Sequence, residues 1–577
     1  MFSRYYQEEL SYLRELGKEF SEAHPALAPM LSGPSADPDV ERLLEGVAFL
    51  TALLRQKLED EFPEIIHNLM ALLWPHYLRP IPCCSIVAFE PRGALRGPQT
   101  VPAGVTLASV PVDETTCLFK TCYPVEIHPL KLLGVELLRP AGSPPFIRLT
   151  MELHEGVDLS RWSPGSLRFY LGGEFPRAAD LYLLLREHLR KVVLRPLEGG
   201  EAAELPPSSV APVGFEEGEG LIPYPPHAFT GYRVLQEYFV LPEKFLFLDL
   251  KGWENWRQRG EGRRFEIIFE LMEVPATLRV EEEDFLLFCT PVVNLFSHEA
   301  DPIRLDHRQT QYLVRPSGDQ PEHYHVYSVD EVVGFIQGTA EERRWRPLEA
   351  YSSTEGKGPL YQLSIRESPV GEGYNVFLSV VYTDEALPPA EETLSVTLTC
   401  TNGFLPERLQ VGDISVPTES SPEFATFRNV RPCTPYLLPP IGKGLLWRLL
   451  SALSLNYLSL ASAEALRSLL RLFVFTEGHD RALVAANEKR VEGVKTLESH
   501  PAERLMKGVA IRGQEVKIDV DEDNYASEGD LYLFGSVLDR FLANYATINT
   551  YVRLTLQGTR RGRLYRWPAR IGDRPLM

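Results

Sequence analysis

The run Asp519-x-Asp521-x-Asp523, with Asp530 at the twelfth position, is the nearest approach to a ligand set in this sequence. Carboxylates at alternate positions of a loop of this length hold calcium when glycine makes the turn at position six and glutamate closes the site. Here position six is Asn524, the last residue is an aspartate, and a strand pattern leads in. These departures favour an acidic connection. His323 and His325 flank Tyr324, so a strand would turn both to one side. No third ligand has a matching spacing, and metal sites need converging ligands with supporting hydrogen bonds. His298 and His307 flank Asp301 and Asp306 in a proline-containing stretch. Such pairs cap turns more often than they catalyse. The 7 cysteines, Cys83, Cys84, Cys117, Cys122, Cys289, Cys400 and Cys433, contain no Cys-x-x-Cys pair. Free thiols in a reducing compartment are the simplest reading.

Nucleotide, hydrolase and metalloprotease signatures are absent. Gly356-Lys357-Gly358 and Gly442-Lys443-Gly444 lack phosphate-loop spacing and read as turns. The net charge of −20 argues against non-specific nucleic-acid binding and docking on anionic lipid. The tail differs: Arg560, Arg561, Arg563, Arg566, Arg570 and Arg574 surround Tyr565 and Trp567. That cluster suits an acidic partner or the chain's own acidic surface. Glu216-Glu217-Gly218-Glu219 and Glu281-Glu282-Glu283-Asp284 read as solvated loops. Two rival functions would need more. A carbohydrate-active β-rich hydrolase requires carboxylates converging across a cleft. A ligand-binding module could use Trp253 and Trp256 as a platform, beside an apolar pocket. Neither catalysis, cofactor nor metal is expected.

The elements that carry these residues change character along the chain. Its 577 residues imply roughly three to four domains. The expected class is α+β and multi-domain, with a helical block over 1–82, a β-rich domain with one inserted helix over 83–300, a second β-rich domain over 301–430 and a mixed domain over 431–577. The first helix carries Tyr6, Leu10, Leu13, Leu16 and Phe20 at helical steps. The second starts at Asp37-Pro38 and carries Val40, Leu43, Leu44, Val47, Leu50, Leu53, Leu54 and Leu58. A third is expected over 64–74. Later helices are expected over 178–194, 445–460, 463–473 and 537–545. Strands are expected over 85–90, 101–109, 166–171, 244–250, 265–271, 276–280, 374–383, 394–401, 515–520, 531–534 and 551–557, with an exposed loop over 206–226. No stretch approaches the ~18–20 apolar residues that span a bilayer. The charged start lacks a signal-peptide core, so a cytoplasmic protein is expected.

Several motifs in fixed order carry a family resemblance. They begin with Tyr5-Tyr6-x-x-Glu9-Leu10-x-Tyr12-Leu13-Arg14-Glu15-Leu16-Gly17 and Asp37-Pro38-Asp39-Val40-Glu41-Arg42-Leu43-Leu44-Glu45-Gly46. Trp74-Pro75-His76-Tyr77-Leu78-Arg79-Pro80, Thr290-Pro291-x-x-Asn294-Leu295-Phe296 and Phe534-Gly535-Ser536-Val537-Leu538-Asp539-Arg540-Phe541-Leu542 follow, and Trp567-Pro568-x-Arg570-x-Gly572 closes the series. The sequence resembles the TssF family (also VasA or ImpG), baseplate subunits of the bacterial type VI secretion system; 134–242 is the least similar stretch. The resemblance implies a scaffold without catalytic activity or cofactor. Its implied partners are TssG, a second TssF copy, TssK, TssE, the spike protein VgrG and the sheath–tube assembly, at the cytoplasmic face of the inner membrane. Apolar stripes on helices joined by a proline-rich loop exceed what 80 residues bury alone, so they favour either packing on the next domain, with internal core the default, or an intermolecular helix bundle, which the resemblance implies. On the second alternative the expected partner-binding residues are Tyr6, Leu10, Leu13, Phe20, Val40, Leu43, Val47, Leu50 and Leu54, with Arg566, Trp567 and Arg570 in the tail.

Overall fold

The structure is a computed structural model that describes residues 6–7, 10–13, 16, 38–40, 42–53, 78–224, 231–336, 338, 342–348, 358–368, 373–382, 391–440, 462–475, 481–506, 509–544, 546 and 548–572. The chain divides into two compact units: 1–73 with 441–447, and 74–440 with 448–577. In the smaller unit, 6–7, 10–13, 16, 38–40 and 42–53 are helical. Phe20, Leu54 and the helices expected over 64–74 and 445–460 lie outside the described residues.

The larger unit is built on sheets whose strands come from distant parts of the chain. One antiparallel sheet runs Ala425–Asn429, Cys84–Pro91, Cys289–Val293, Thr115–Thr121, Thr106–Val112. Boundaries at 300 and 430 therefore fall among strands that share hydrogen bonds, which local sequence pattern does not reveal. Two further sheets face each other through Phe169, Phe269 and Phe285, with ring centroids 6.2–6.4 Å apart. One contains Phe146–Leu153, Leu189–Pro196 and Arg264–Leu271; the other contains Ser166–Tyr170 and Phe247–Lys251. An eight-stranded sheet occupies much of 296–401. Its strand Glu392–Thr401 points Leu394, Val396, Leu398 and Cys400 into one core, the two-residue period of a half-buried strand.

The C-terminal part contains helices over Ala463–Arg471, Arg481–Gly493 and Glu528–Ala543. In chain order, Phe175–Glu187 is α1, Gly231–Val240 is α2, and these three are α3, α4 and α5. The hairpin Val494–Met506/Val509–Val520 is joined by Thr550–Gly558, which runs parallel to its second strand. A parallel pair needs a crossover, and α5 provides it.

Several expectations are corrected. Residues 531–534 are not a strand but the middle of α5, whose Ser527 cap accepts from Asp530 N. Residues 529–539 are all buried, so no one-sided stripe betrays the helix. Helix α2, buried throughout, escaped notice for the same reason. The helix expected over 178–194 ends at Glu187, and Leu189–Pro196 pairs with Arg264–Leu271 instead. The β-branched pair Val192–Val193 suits that strand. Residues 276–280 form turns and coil, and Val210–Val213 within the expected 206–226 loop is a strand.

Candidate functional site

The residues with chemical promise are directed into the chain's own framework. Asp519 accepts from Thr496 at 2.7 Å, while Arg560 holds Asp521 at 2.8 Å and Asp523 at 2.7 Å. Asp530 is buried elsewhere, between Arg490 Nε at 3.0 Å and Tyr238 OH at 3.1 Å. The carboxylates diverge, and among the described residues no group of three His, Cys, Asp or Glu side chains is placed to hold a metal. His323 meets Thr115 at 2.7 Å, whereas His325 sits among Tyr374, Phe404 and Tyr436 with Nδ1 3.0 Å from Tyr436 OH. Burial lowers the His325 pKa to about 4. His298 stacks on Tyr324 at 4.7 Å, and Asp306 accepts from Arg308 N at 3.1 Å as a turn cap.

Trp253 and Trp256 are fully buried, and their indoles donate to Leu250 O and Glu201 O, both at 2.8 Å. They pack with Phe265 and offer no platform. A cavity of about 280 Å³ lies among Glu522, Asp523, Ser527, Glu528, Arg561 and Tyr565. This lining is polar, unlike the mostly apolar pocket that a small-molecule module needs.

The acidic runs are exposed, as their composition suggests, except for half-buried Glu219 and buried Asp284, and cations elsewhere in the chain hold them. Arg233 donates to Glu216 O at 2.8 Å and Glu217 O at 3.0 Å. Lys244, fully buried, donates to Glu219 O at 2.8 Å and pairs with Glu237. Burial pulls the Lys244 pKa down, opposed by the Glu237 carboxylate. In the second run, Asp284 is buried against Arg177 at 2.9 Å, with Arg177 also reaching Glu281 at 3.0 Å. Backbone carbonyls and distant cations organise both segments, and neither shows in a count of like charges.

Two C-terminal motifs, separate in sequence, form one contact. Trp567 stacks on Tyr532 at 5.4 Å and donates from Nε1 to Ser536 Oγ at 3.2 Å. A Cβ on Gly535 would stand 2.3 Å from the Trp567 ring, so only glycine admits the indole. Arg570 pairs with Asp539, whose pKa burial pushes up. Trp567 is buried and Arg570 is engaged within the chain; Arg566 is exposed. Helix α5 also meets α1 backbone to backbone: a Cβ on Gly529 would lie 2.1 Å from Ala179 C and O. Gly529 N donates to Asp180 Oδ1 at 2.8 Å. The central motif is structural too, since buried Asn294 donates to Leu118 O at 2.8 Å and accepts from Thr401 Oγ1 at 2.7 Å.

The N-terminal helical block is different. In 42–53, Leu43 is 68% exposed, Val47 43% and Leu50 61%, while Ala48 and Ala52 are fully buried. At about 100° per residue, Leu43, Val47 and Leu50 fall within about 60° of one another, with Ala52 about 180° from Leu43. A closed alanine face thus backs an open leucine–valine seam. Tyr6, Leu10, Leu13 and Val40 are half-buried. Tyr12, Leu16, Phe49 and Leu53 are also exposed. Tyr12 and Phe49 are absent from the expected partner set because they lie off its stripes, although Tyr12 belongs to the first quoted motif. Among the described residues no helix is long and apolar enough to cross a membrane.

Comparison with known proteins covers nearly the whole chain. A family model described as Type VI secretion system, TssF matches residues 1–574. The type VI secretion system component TssF1 of Pseudomonas aeruginosa is 33% identical over 622 aligned positions, covering 99% of this chain and 98% of the relative. A chain in the cryo-electron microscopy structure of the TssK-TssF-TssG baseplate subcomplex superposes with a TM-score of 0.78 at 31% identity, covering 93% of this chain and 99% of that one. A chain of the type VI secretion baseplate complex gives 0.62 at 28% identity, with 100% of each covered.

Proposed function

Because this chain belongs to the TssF family of the type VI secretion system, we propose that it is a structural subunit of the baseplate wedge and joins its partners through the N-terminal helical block. The exposed Leu43-Val47-Leu50 seam carries this reading. Val40, Leu43, Val47, Leu50 and Leu54 follow steps of three, four, three and four, which sets Val40, Val47 and Leu54 at a and Leu43 and Leu50 at d of a heptad. β-Branched a and leucine d positions favour pairing of two parallel helices with knobs in holes. Each large apolar side chain withdrawn from water contributes about 1.5–3 kcal/mol, so a few seam residues amount to useful affinity once a partner helix covers them.

The partners are TssG and a second copy of this chain, with TssK in the same subcomplex; a matched chain belongs to a TssK-TssF-TssG assembly. Contacts with TssE, the VgrG spike and the sheath–tube assembly, at the cytoplasmic face of the inner membrane, rest on the family resemblance. The role is scaffolding rather than catalysis, in keeping with carboxylates and histidines engaged by in-chain partners. Exposed Arg566 is a further contact point on this reading; the in-chain engagement of Trp567 and Arg570 leaves the helical seam as the principal surface.

Co-expression with TssG and TssK from one secretion system, followed by purification and mass measurement, tests the proposal. The expected product contains TssG and more than one copy of this chain. Removal of 1–60 is expected to abolish co-purification with TssG and leave a soluble remainder. A lone monomer in the first experiment, or retained TssG in the second, overturns the reading.

A further inference from the structure

We draw no further inference here: the strongest candidate, the apolar rim that exposed Leu505, Ile548 and Ile571 make at one end of the C-terminal sheet, carries nothing because nothing among the described residues shows what covers it.

Discussion

Helix α5 and the helical segment 42–53 are both rich in leucine, and they use it in opposite ways. In α5, Leu531, Leu533, Leu538 and Leu542 are buried, and the glycines Gly529 and Gly535 admit neighbours to backbone distance. In 42–53, the alanines are buried while Leu43, Leu50 and Leu53 remain exposed. A helix that is apolar on every side needs neighbours on every side, and α5 has them within the chain. A helix with one closed face and one open apolar seam has a face to offer another chain. Burial, rather than composition, separates the two helices, and on the proposed function it separates framework from interface.

The contrast breaks most readily at α5. Gly529→Ala is expected to cost about 3 kcal/mol or more, because the new methyl meets Ala179 backbone that cannot retreat without separating two helices. Urea unfolding measures it, and a loss below about 0.5 kcal/mol would mean that α1 and α5 adapt freely. Asp530→Asn leaves Arg490 buried without its counter-charge, at an expected cost of about 3–5 kcal/mol in the same assay.

Acid gives a second route into the framework. Burial lowers the pKa of His128 and of His325 to about 4, from the ordinary 6.5. Both are therefore neutral when folded and become protonated first in the unfolded chain. Their contribution, about 3 kcal/mol each, is fully present above pH 6.5 and is lost as pH falls from there through about 4. Asp180 and Asp539 act in the other direction: burial raises their folded pKa, so the stability linked to each is present below its ordinary range and lost as pH rises through the folded value. Thermal unfolding across this interval should show the histidine-driven fall, and His325→Phe should flatten part of it. An unchanged profile in His325→Phe would remove His325 from the account.

The smallest stability effect belongs to the seam. Leu43→Glu with Leu50→Glu is expected to shift the stability of the isolated chain by no more than about 0.5 kcal/mol, because both side chains already face water. A shift of several kcal/mol in urea unfolding would show that the seam is internal core, and the contrast with α5 would disappear.

Much of the scaffold was legible because its elements obey local periods. Cys84–Pro91, Ser166–Tyr170, Arg264–Leu271, Glu392–Thr401 and Thr550–Gly558 fall where strand patterns put them. What escaped was set by distant contacts. The middle of α5 reads like a strand when neither face is polar, and the Leu189–Pro196 strand continues an apolar helix pattern until Arg264–Leu271 captures it. The Glu216–Glu219 run is exposed as its charges suggest, but the bonds from Arg233 and Lys244 to its carbonyls do not show in the sequence pattern. The Leu43–Leu50 stripe was legible as apolar, but sequence left open whether an internal neighbour covers it. The fate of Trp567 was hidden as well, since basic neighbours suggest a surface while Gly535 makes room for the indole inside.

The central claim is tested most directly by co-expressing the full chain, unaltered or carrying Leu43→Glu and Leu50→Glu, with TssG and weighing the purified complexes. The account predicts that the variant stays soluble with an unchanged melting temperature and loses TssG and the second copy of itself. Recovery of the complete complex at unaltered yield would contradict it.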